Sequence, residues 1–545
     1  MVTANPHATR AGADVLRAGG SAVDAAIAIE AVLSLVEPQS SGLAGGAFMM
    51  HYDQQTKSLT VYDGRETAPA KAAPDMFLLP SGEKMGFLDA KNSGLSTGVP
   101  GVVSLLQLAH NDHGKLPWSM NFDAAKRLAS EGFAVSPRLH GMIKRFGKYI
   151  PKTLEQGQTD AYHYFHTAND EPLPVGHLLK NADYAKTLEI VANNASDFYR
   201  GSIAEQIVSA VQLPPRAGHL ELADLASYSA SRRTALCSPY KDKQLCGPPP
   251  PSSWIGVAMM LGILERGPVA SAAGAKDPAN WALFGEAQRL AYADRDHYVA
   301  DSESVIVPVK GMLNPDYLAL RASELSPHTA VKAIKHGDPW AFDNMLPAKV
   351  GQDATDDTPG TTHFVVVDNQ GDVVSMTASV ESIFGSTRMV GGMFLNNQLT
   401  DFSFFEKDES GTVIANAVAP GKRPRSSMSP TIVLDQEGKF VMATGSPGGN
   451  SILAYTAKTL LAVLDWGLSA QQAVALPNLV GRGDKVRIES ERASSELISG
   501  LRDYGFEVKE SAGENSGLSV VVRLADGQLE GGVDPRREGV IEVVD

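Results

Sequence analysis

Gly351-Gln352-Asp353-Ala354-Thr355-Asp356-Asp357-Thr358-Pro359-Gly360 runs straight into Thr361-Thr362-His363-Phe364-Val365-Val366-Val367, and the boundary between the two runs decides how the rest of the chain is read. The first run is polar, acidic and rich in turn formers, and reads as a mobile surface segment. The second is apolar at consecutive positions from Phe364 to Val367, as a strand buried on both faces must be. A strand over Thr362 to Asp368 and another over Val373 to Ser379 are joined by the tight turn Asn369-Gln370-Gly371-Asp372. A strand covered on both sides needs a flanking layer on each.

Working outward, Thr431 to Leu434 and Phe440 to Thr444 form a second hairpin around Gln436-Glu437-Gly438, and Ile452 to Leu464 reads as a helix. Near the start, a helix over Ala8 to Arg17 is broken by Gly19-Gly20, and Ser21 caps a second helix reaching about Leu35. The Gly-rich loop Ser40 to Gly46 follows, then strand-like runs Phe48 to Tyr52 and Leu59 to Tyr62. The middle, roughly 100 to 335, is mostly helical by periodicity, with Trp281 to Tyr298 its clearest helix. Pro248 to Pro251 form a stiff lead-in to a helix starting near Ser252 or Ser253. Helices, then hairpins, then helices predict an α/β (α+β) fold of stacked sheets between helix layers.

The 545 residues, 43% of them hydrophobic, are ample for a large core. A net charge of −14 disfavours nucleic acid and anionic membranes as partners. The longest apolar stretch, Ala22 to Val36, is interrupted by Asp24 and Glu30, so no membrane span is expected. Met1 is followed almost at once by Asn5-Pro6-His7, with no leader between. Cys237 and Cys246 flank a hairpin, where a cross-strand disulfide is geometrically possible; spacing alone does not separate it from two reduced thiols.

The chemistry gathers at Thr361. It opens a buried strand right after an exposed segment, and Gly360 tolerates the backbone needed to bring a hydroxyl onto the preceding carbonyl. Attack by the Thr361 hydroxyl there turns the peptide bond into an ester, and water then frees Thr361 as a new N-terminus. A threonine hydroxyl needs a base. A free α-amino group titrates at about 7.7–8.0 and sits on the same residue. Thr444-Gly445-Ser446-Pro447-Gly448-Gly449-Asn450 joins a strand to a helix, and its glycine N–H groups suit an oxyanion hole. Alone, a Thr-Thr pair signals strand propensity and a Gly-Gly pair a turn.

Taken together, the sequence resembles the γ-glutamyltranspeptidases, which are N-terminal-nucleophile hydrolases. The resemblance starts at Ala4-Asn5-Pro6-His7-Ala8 and runs to Asp534-Pro535-Arg536. It is carried by Arg65-Glu66-Thr67-Ala68-Pro69, Thr361-Thr362-His363, Leu395-Asn396-Asn397-Gln398 with Asp401-Phe402-Ser403, Arg423-Pro424 with Ser426-Ser427-Met428-Ser429-Pro430-Thr431, and Gly445-Ser446-Pro447-Gly448-Gly449. It implies a four-layer αββα sandwich made from two cleavage products, residues 1–360 and 361–545, forming one intertwined domain. It also implies that Thr361 is the nucleophile and Gly360-Thr361 the cleavage site, with Gly448 and Gly449 as the oxyanion hole. Arg65, Ser426 and Ser427 would hold the substrate α-carboxylate, and Gln398 and Asp401 its α-ammonium. Arginine and hydroxyls do suit a carboxylate, and an acid an ammonium. The substrate class implied is a γ-glutamyl small molecule such as glutathione, with water, an amino acid or a peptide as acceptor and no cofactor or metal. The place implied is the periplasm or cell exterior, its leader lying outside this sequence, with the cytoplasm left open.

Four positions depart from the pattern. Ser379 stands where the family often has threonine, and keeps a hydroxyl to support the nucleophile. Glu381 stands where the best-known members have an asparagine facing the substrate amino group; it is a second acid beside Asp401. Phe402 to Lys422 lacks the tyrosine that gates lidded members, and Asn450-Ser451 replaces the usual Ser-Arg after the glycines. Two other readings remain: an acylase releasing a glutaryl group from a β-lactam nucleus, and an uncleaved protein that only binds glutamyl peptides.

Elsewhere, Gly94-Leu95-Ser96-Thr97-Gly98 matches a nucleophile elbow, but polar Asp89 to Ser93 offers no strand before it, so a Gly-rich loop is expected. Asp294, Asp296, His297 and Asp301 fall on differing helix faces and read as a solvated helix end rather than a metal site.

Overall fold

Alternation along the strand that begins at Thr361 sets the layers. The computed structural model describes residues 1–152, 161–268, 271–355, 360–513 and 516–544. In chain order the strands of the two main sheets are β1 (Val2–Thr3), β2 (Gly46–Asp53), β3 (Ser58–Gly64), β4 (Ser231–Thr234), β5 (Leu236–Tyr240), β6 (Lys243–Gly247), β7 (Thr361–Val367), β8 (Val373–Ser379), β9 (Thr431–Asp435), β10 (Phe440–Gly445), β11 (Ser519–Arg523), β12 (Leu529–Val533) and β13 (Val540–Ile541). They form a seven-stranded sheet ordered β13-β1-β7-β8-β2-β3-β4 and a six-stranded sheet ordered β12-β11-β10-β9-β6-β5.

The covering helices are α1 (Pro6–Arg17), α2 (Ala22–Val36), α3 (Val102–His113), α4 (Trp254–Arg266), α5 (Pro278–Tyr298) and α6 (Ile452–Leu464). Phe364 and Val366 of β7, with Val374, Met376 and Ala378 of β8, share a buried cluster with α2 and α3. Val365 and Val373 point the other way and meet Ile432, Ala443 and Val521 of the second sheet. Val433, Met442 and Val520 then face α4, α5 and α6. The order is helices, sheet, sheet, helices, the expected αββα sandwich. Burial of each such Val or Phe contributes about 1.5–3 kcal/mol, which is why β7, apolar on both faces, lies at the centre.

Local signals hold where they are self-contained. Ser21 caps α2 through a capping box with Asp24, and all fifteen residues of that helix are buried. Ser253 is the N-cap residue of α4. Cys237 and Cys246 lie directly opposite in the β5–β6 hairpin and are joined by a disulfide.

The middle of the chain is mostly helical, as expected, and β4 to β6, the cysteine hairpin among them, complete both sheets. Two expectations change. The segment before Thr361 is docked where it is described: Asp353 is buried and ion-paired to Arg425 at 2.9 Å, while 356–359 lie outside the described residues. The acids near the end of α5 are not solvated. Asp294 and Asp301 are buried, and Asp294 accepts from the Tyr317 hydroxyl at 2.8 Å and the Gly337 N–H at 2.7 Å. Paired charges sit inside the outer helix layer, so charge there does not mark surface. The Gly94-to-Gly98 stretch is a loop with one 3₁₀ turn, and the Ser96 hydroxyl lies 2.7 Å from the carbonyl oxygen of Lys91.

Candidate active site

Thr361, His363 and Val365 share the face of β7 that looks into the space between the sheets, because successive strand residues alternate. Thr361 is paired in register with Ser379 of β8, and His363 with Thr377. The polar ends of β7 and β8 therefore open a cleft at the edge of the inter-sheet core.

At its floor, the Thr361 and Ser379 hydroxyl oxygens are 3.1 Å apart. The Ser379 hydroxyl donates to the Gly360 carbonyl at 2.8 Å and accepts from the Glu381 N–H at 2.8 Å. A serine hydroxyl has one hydrogen. With that hydrogen given to Gly360, the bond between the hydroxyls is donated by Thr361. Gly360 itself is forced by close approach: a Cβ there would lie 2.2 Å from the Glu381 carbonyl oxygen. Glu381 adopts a left-handed backbone, φ +77°, unusual for a side chain of its size. Its carboxylate is buried and accepts from the Ser382 hydroxyl and the Asn397 side-chain amide.

The acidic wall continues on the 3₁₀ turn Gln398–Asp401. Asp401 accepts from Gln398 Nε2 and from Arg65 Nη2, both at 2.7 Å. The opposite wall is the loop carrying Ser426 and Ser427. The Ser426 hydroxyl accepts from the Met428 N–H at 3.2 Å. Gly448 and Gly449 have φ of +137° and +56°, conformations that glycine adopts freely, and lead through a 3₁₀ turn into α6.

Thr361, Ser379, Glu381, Gln398, Asp401, Ser426, Ser427 and Gly449 line one cleft, with Met428 and Ile452. Eight of the sequence-predicted residues thus converge. Gly448 stands one residue behind the lining, and Arg65 is fully buried behind Asp401. Besides Asp401, Arg65 donates to the carbonyls of Pro424 at 3.1 Å and Arg425 at 2.7 Å, and lies 3.5 Å from Glu66. Met428 and Ile452 carried no chemical flag in the sequence; only their position beside Ser427 and after the Gly-Gly loop pointed to them.

Two titrations bear on the chemistry. Burial drives His363 down to about 3, so this ring is neutral at physiological pH and sits in the core, with Nδ1 2.9 Å from the Thr377 hydroxyl. Burial pushes Glu66 up to about 7, against the pull of Arg65. Glu66, beside Arg65, is therefore part-neutral near neutral pH.

Residues 8–544 match the family model described as Gamma-glutamyltranspeptidase. The chain belongs to that family. It is 34% identical over 549 residues to the glutathione hydrolase proenzyme of Bacillus subtilis strain 168, covering 99% of this chain and 90% of that protein. It is 35% identical to the glutathione hydrolase proenzyme of Escherichia coli K12, covering 98% and 90%. Among solved structures, Helicobacter pylori γ-glutamyltranspeptidase aligns with a TM-score of 0.57 at 30% identity, covering 63% of this chain and 96% of that one. A cephalosporin acylase from Bacillus halodurans shares the fold, with a TM-score of 0.85 at 23% identity over 99% and 95% of the two chains. As a member of the γ-glutamyltranspeptidase family the protein is an enzyme of amide hydrolysis and acyl transfer. None of its described helices is long and apolar enough to cross a membrane.

Proposed function

We propose that this protein cleaves itself between Gly360 and Thr361 and then hydrolyses or transfers the γ-glutamyl group of glutathione-like donors from an ester on Thr361. The observation that carries this is the hydrogen-bonded line from the Thr361 hydroxyl through Ser379 to the Gly360 carbonyl oxygen. As Thr361 Oγ1 bonds to the Gly360 carbon, its proton passes to Ser379 Oγ, whose own proton moves to the carbonyl oxygen. The C–N bond then breaks, the amine takes up a proton, and an ester remains. Water splits the ester into a Gly360 carboxylate and a free Thr361.

In the mature enzyme the Thr361 amine accepts the proton of its own hydroxyl, and Oγ1 attacks the donor's γ-carbonyl. The N–H groups of Gly448 and Gly449 support the oxyanion, and the leaving amine takes the proton. Water, or the amino group of an amino acid or peptide, then releases the γ-glutamyl group. Ser426 and Ser427 serve the donor's α-carboxylate, and Asp401, Gln398 and Glu381 its α-ammonium, with Arg65 holding Asp401 in place. Two carboxylates at that end favour an ammonium and disfavour a glutaryl donor, which has none. Relatives named glutathione hydrolase support glutathione as the donor to test. The family resemblance supports the periplasm or cell exterior as its place.

The test is Thr361→Ala, run on a denaturing gel and in release of 4-nitroaniline from L-γ-glutamyl-4-nitroanilide. Wild type gives two bands, residues 1–360 and 361–545, and releases anilide; the variant gives one band and none. A cleaved or active variant sinks the assignment.

A further inference from the structure

Ser426, Ser427 and Met428 reach the cleft on irregular backbone, so something else must fix them. Part of the support is a strap laid alongside, the residues that follow the proline run. The Ser426 N–H donates to the Pro251 carbonyl at 2.9 Å, the Ser253 N–H to the Ser426 carbonyl at 2.7 Å, and the Ser252 hydroxyl to the Met428 carbonyl at 2.7 Å. The rest comes from Arg295 on α5, whose side chain has no exposure. Its Nε donates to the Ser253 hydroxyl at 2.8 Å, Nη1 to Asp296 at 2.8 Å, and Nη2 to the Ser427 hydroxyl at 2.7 Å. One planar fork thus ties the strap to the cleft wall, and Asp296 holds the fork.

We propose that Arg295 is a positioning residue of the donor site, setting the Ser427 hydroxyl for the α-carboxylate of the γ-glutamyl group; this rests on the γ-glutamyl reading above. The oxygen of a hydroxyl that accepts from a guanidinium is fixed by a charge-assisted bond. Arg65 bridges the two walls, donating to Asp401 and to the carbonyls of Pro424 and Arg425 just before Ser426, and none of these bonds goes to the Ser427 hydroxyl. Among the described residues, Arg295 is a guanidinium that reaches the Ser427 hydroxyl. A lysine in its place would keep the charge and lose the fork.

The test compares Arg295→Met and Arg295→Lys on two donors, L-γ-glutamyl-4-nitroanilide and 4-aminobutyryl-4-nitroanilide, which lacks the α-carboxylate. Arg295→Met is expected to raise KM for the first about tenfold with kcat held within about threefold, and to leave kcat/KM for the second within about twofold. Arg295→Lys is expected to fall between wild type and Arg295→Met. In a Ser427→Ala background the Arg295→Lys change should add less than about twofold, because its target is gone. That pair decides the matter if Arg295→Met remains a single uncleaved band. An equal KM rise on both donors, an unchanged KM, or full additivity with Ser427→Ala overturns the role. A wild type that releases nothing from the γ-glutamyl anilide overturns the γ-glutamyl reading first, and this inference with it.

Discussion

Ser379 stands directly across the strand pair from Thr361 and touches both sides of the bond before it, with its hydroxyl oxygen 3.1 Å from the Thr361 hydroxyl and 2.8 Å from the Gly360 carbonyl oxygen. One side chain can therefore take a proton from the attacking group and give one to the group attacked. Ser379→Ala removes both, and loss of a single oxyanion donor typically slows such a step about 10²–10³-fold. Freshly made Ser379→Ala protein is expected to run as one band and convert to two over hours to days, while Ser379→Thr, which keeps the hydroxyl, converts at nearly the wild-type rate. A time course on a denaturing gel reads this directly; fast conversion of the alanine variant would remove Ser379 from the step.

Gly360 is set by space. The Cβ of an alanine there would lie 2.2 Å from the carbonyl oxygen of Glu381 and 2.5 Å from the carbonyl carbon of Ser382. Both are backbone atoms of the loop that carries Glu381, so the strain cannot be relieved by turning a side chain. Gly360→Ala should displace the carbonyl from the Ser379 hydroxyl and leave the chain uncleaved, although folded by circular dichroism. Ordinary two-band processing of this variant would show that the carbonyl's position is not what limits cleavage.

The layers and the boundary before Thr361 were legible because the signals are local. Consecutive apolar residues in Phe364 to Val367 can only be a strand with cover on both faces, and the polar run before it marks a boundary. Ser21 and Asp24, three residues apart, define their own helix start. The placement of Arg65 was not legible. A buried guanidinium looks the same in sequence whatever it pairs with, and here one partner, Asp401, lies far along the chain. Arg295 was missed for a related reason: flanked by Asp294, Asp296 and His297 it reads as surface, and only the fold brings it to Ser427. Asp353 looked mobile because its partner, Arg425, lies beyond the boundary that made the segment look separate.

The donor role proposed for Asp401 can be separated from its contact with Arg65. Asp401→Asn keeps the shape while removing the charge offered to an ammonium. It is expected to raise KM for L-γ-glutamyl-4-nitroanilide at least about tenfold and to change glutaryl-4-nitroanilide hydrolysis little, narrowing the preference between the two. Both variants remove the counter-charge of Arg65, but Asp401→Ala also removes the oxygen that accepts from its Nη2, and a buried donor left unsatisfied costs about 1–3 kcal/mol. Thermal unfolding should therefore place Asp401→Ala several degrees below Asp401→Asn. Equal melting points would show that Arg65 does not depend on that oxygen.

Glu30 gives the sharpest test of pH dependence, because it lies in α2 and outside the cleft lining. Burial pushes its carboxyl up to about 8, Glu37 adds to the shift, and the Ser41 hydroxyl pulls the other way. The folded state thus holds a proton that the unfolded chain releases at about 4.3. Where the folded state binds more protons, stability falls as pH rises. The stability due to neutral Glu30 is therefore complete below about 4.3 and lost as pH climbs through about 8, the opposite sign to a salt-bridged carboxylate. Glu30→Gln, neutral at every pH, should match wild type in melting temperature near pH 4 and exceed it by a few degrees near pH 8.5. Melting curves across that range decide it: a gap that is constant with pH, or that widens toward acid, would mean the carboxyl is ionised in the fold and paired with a cation.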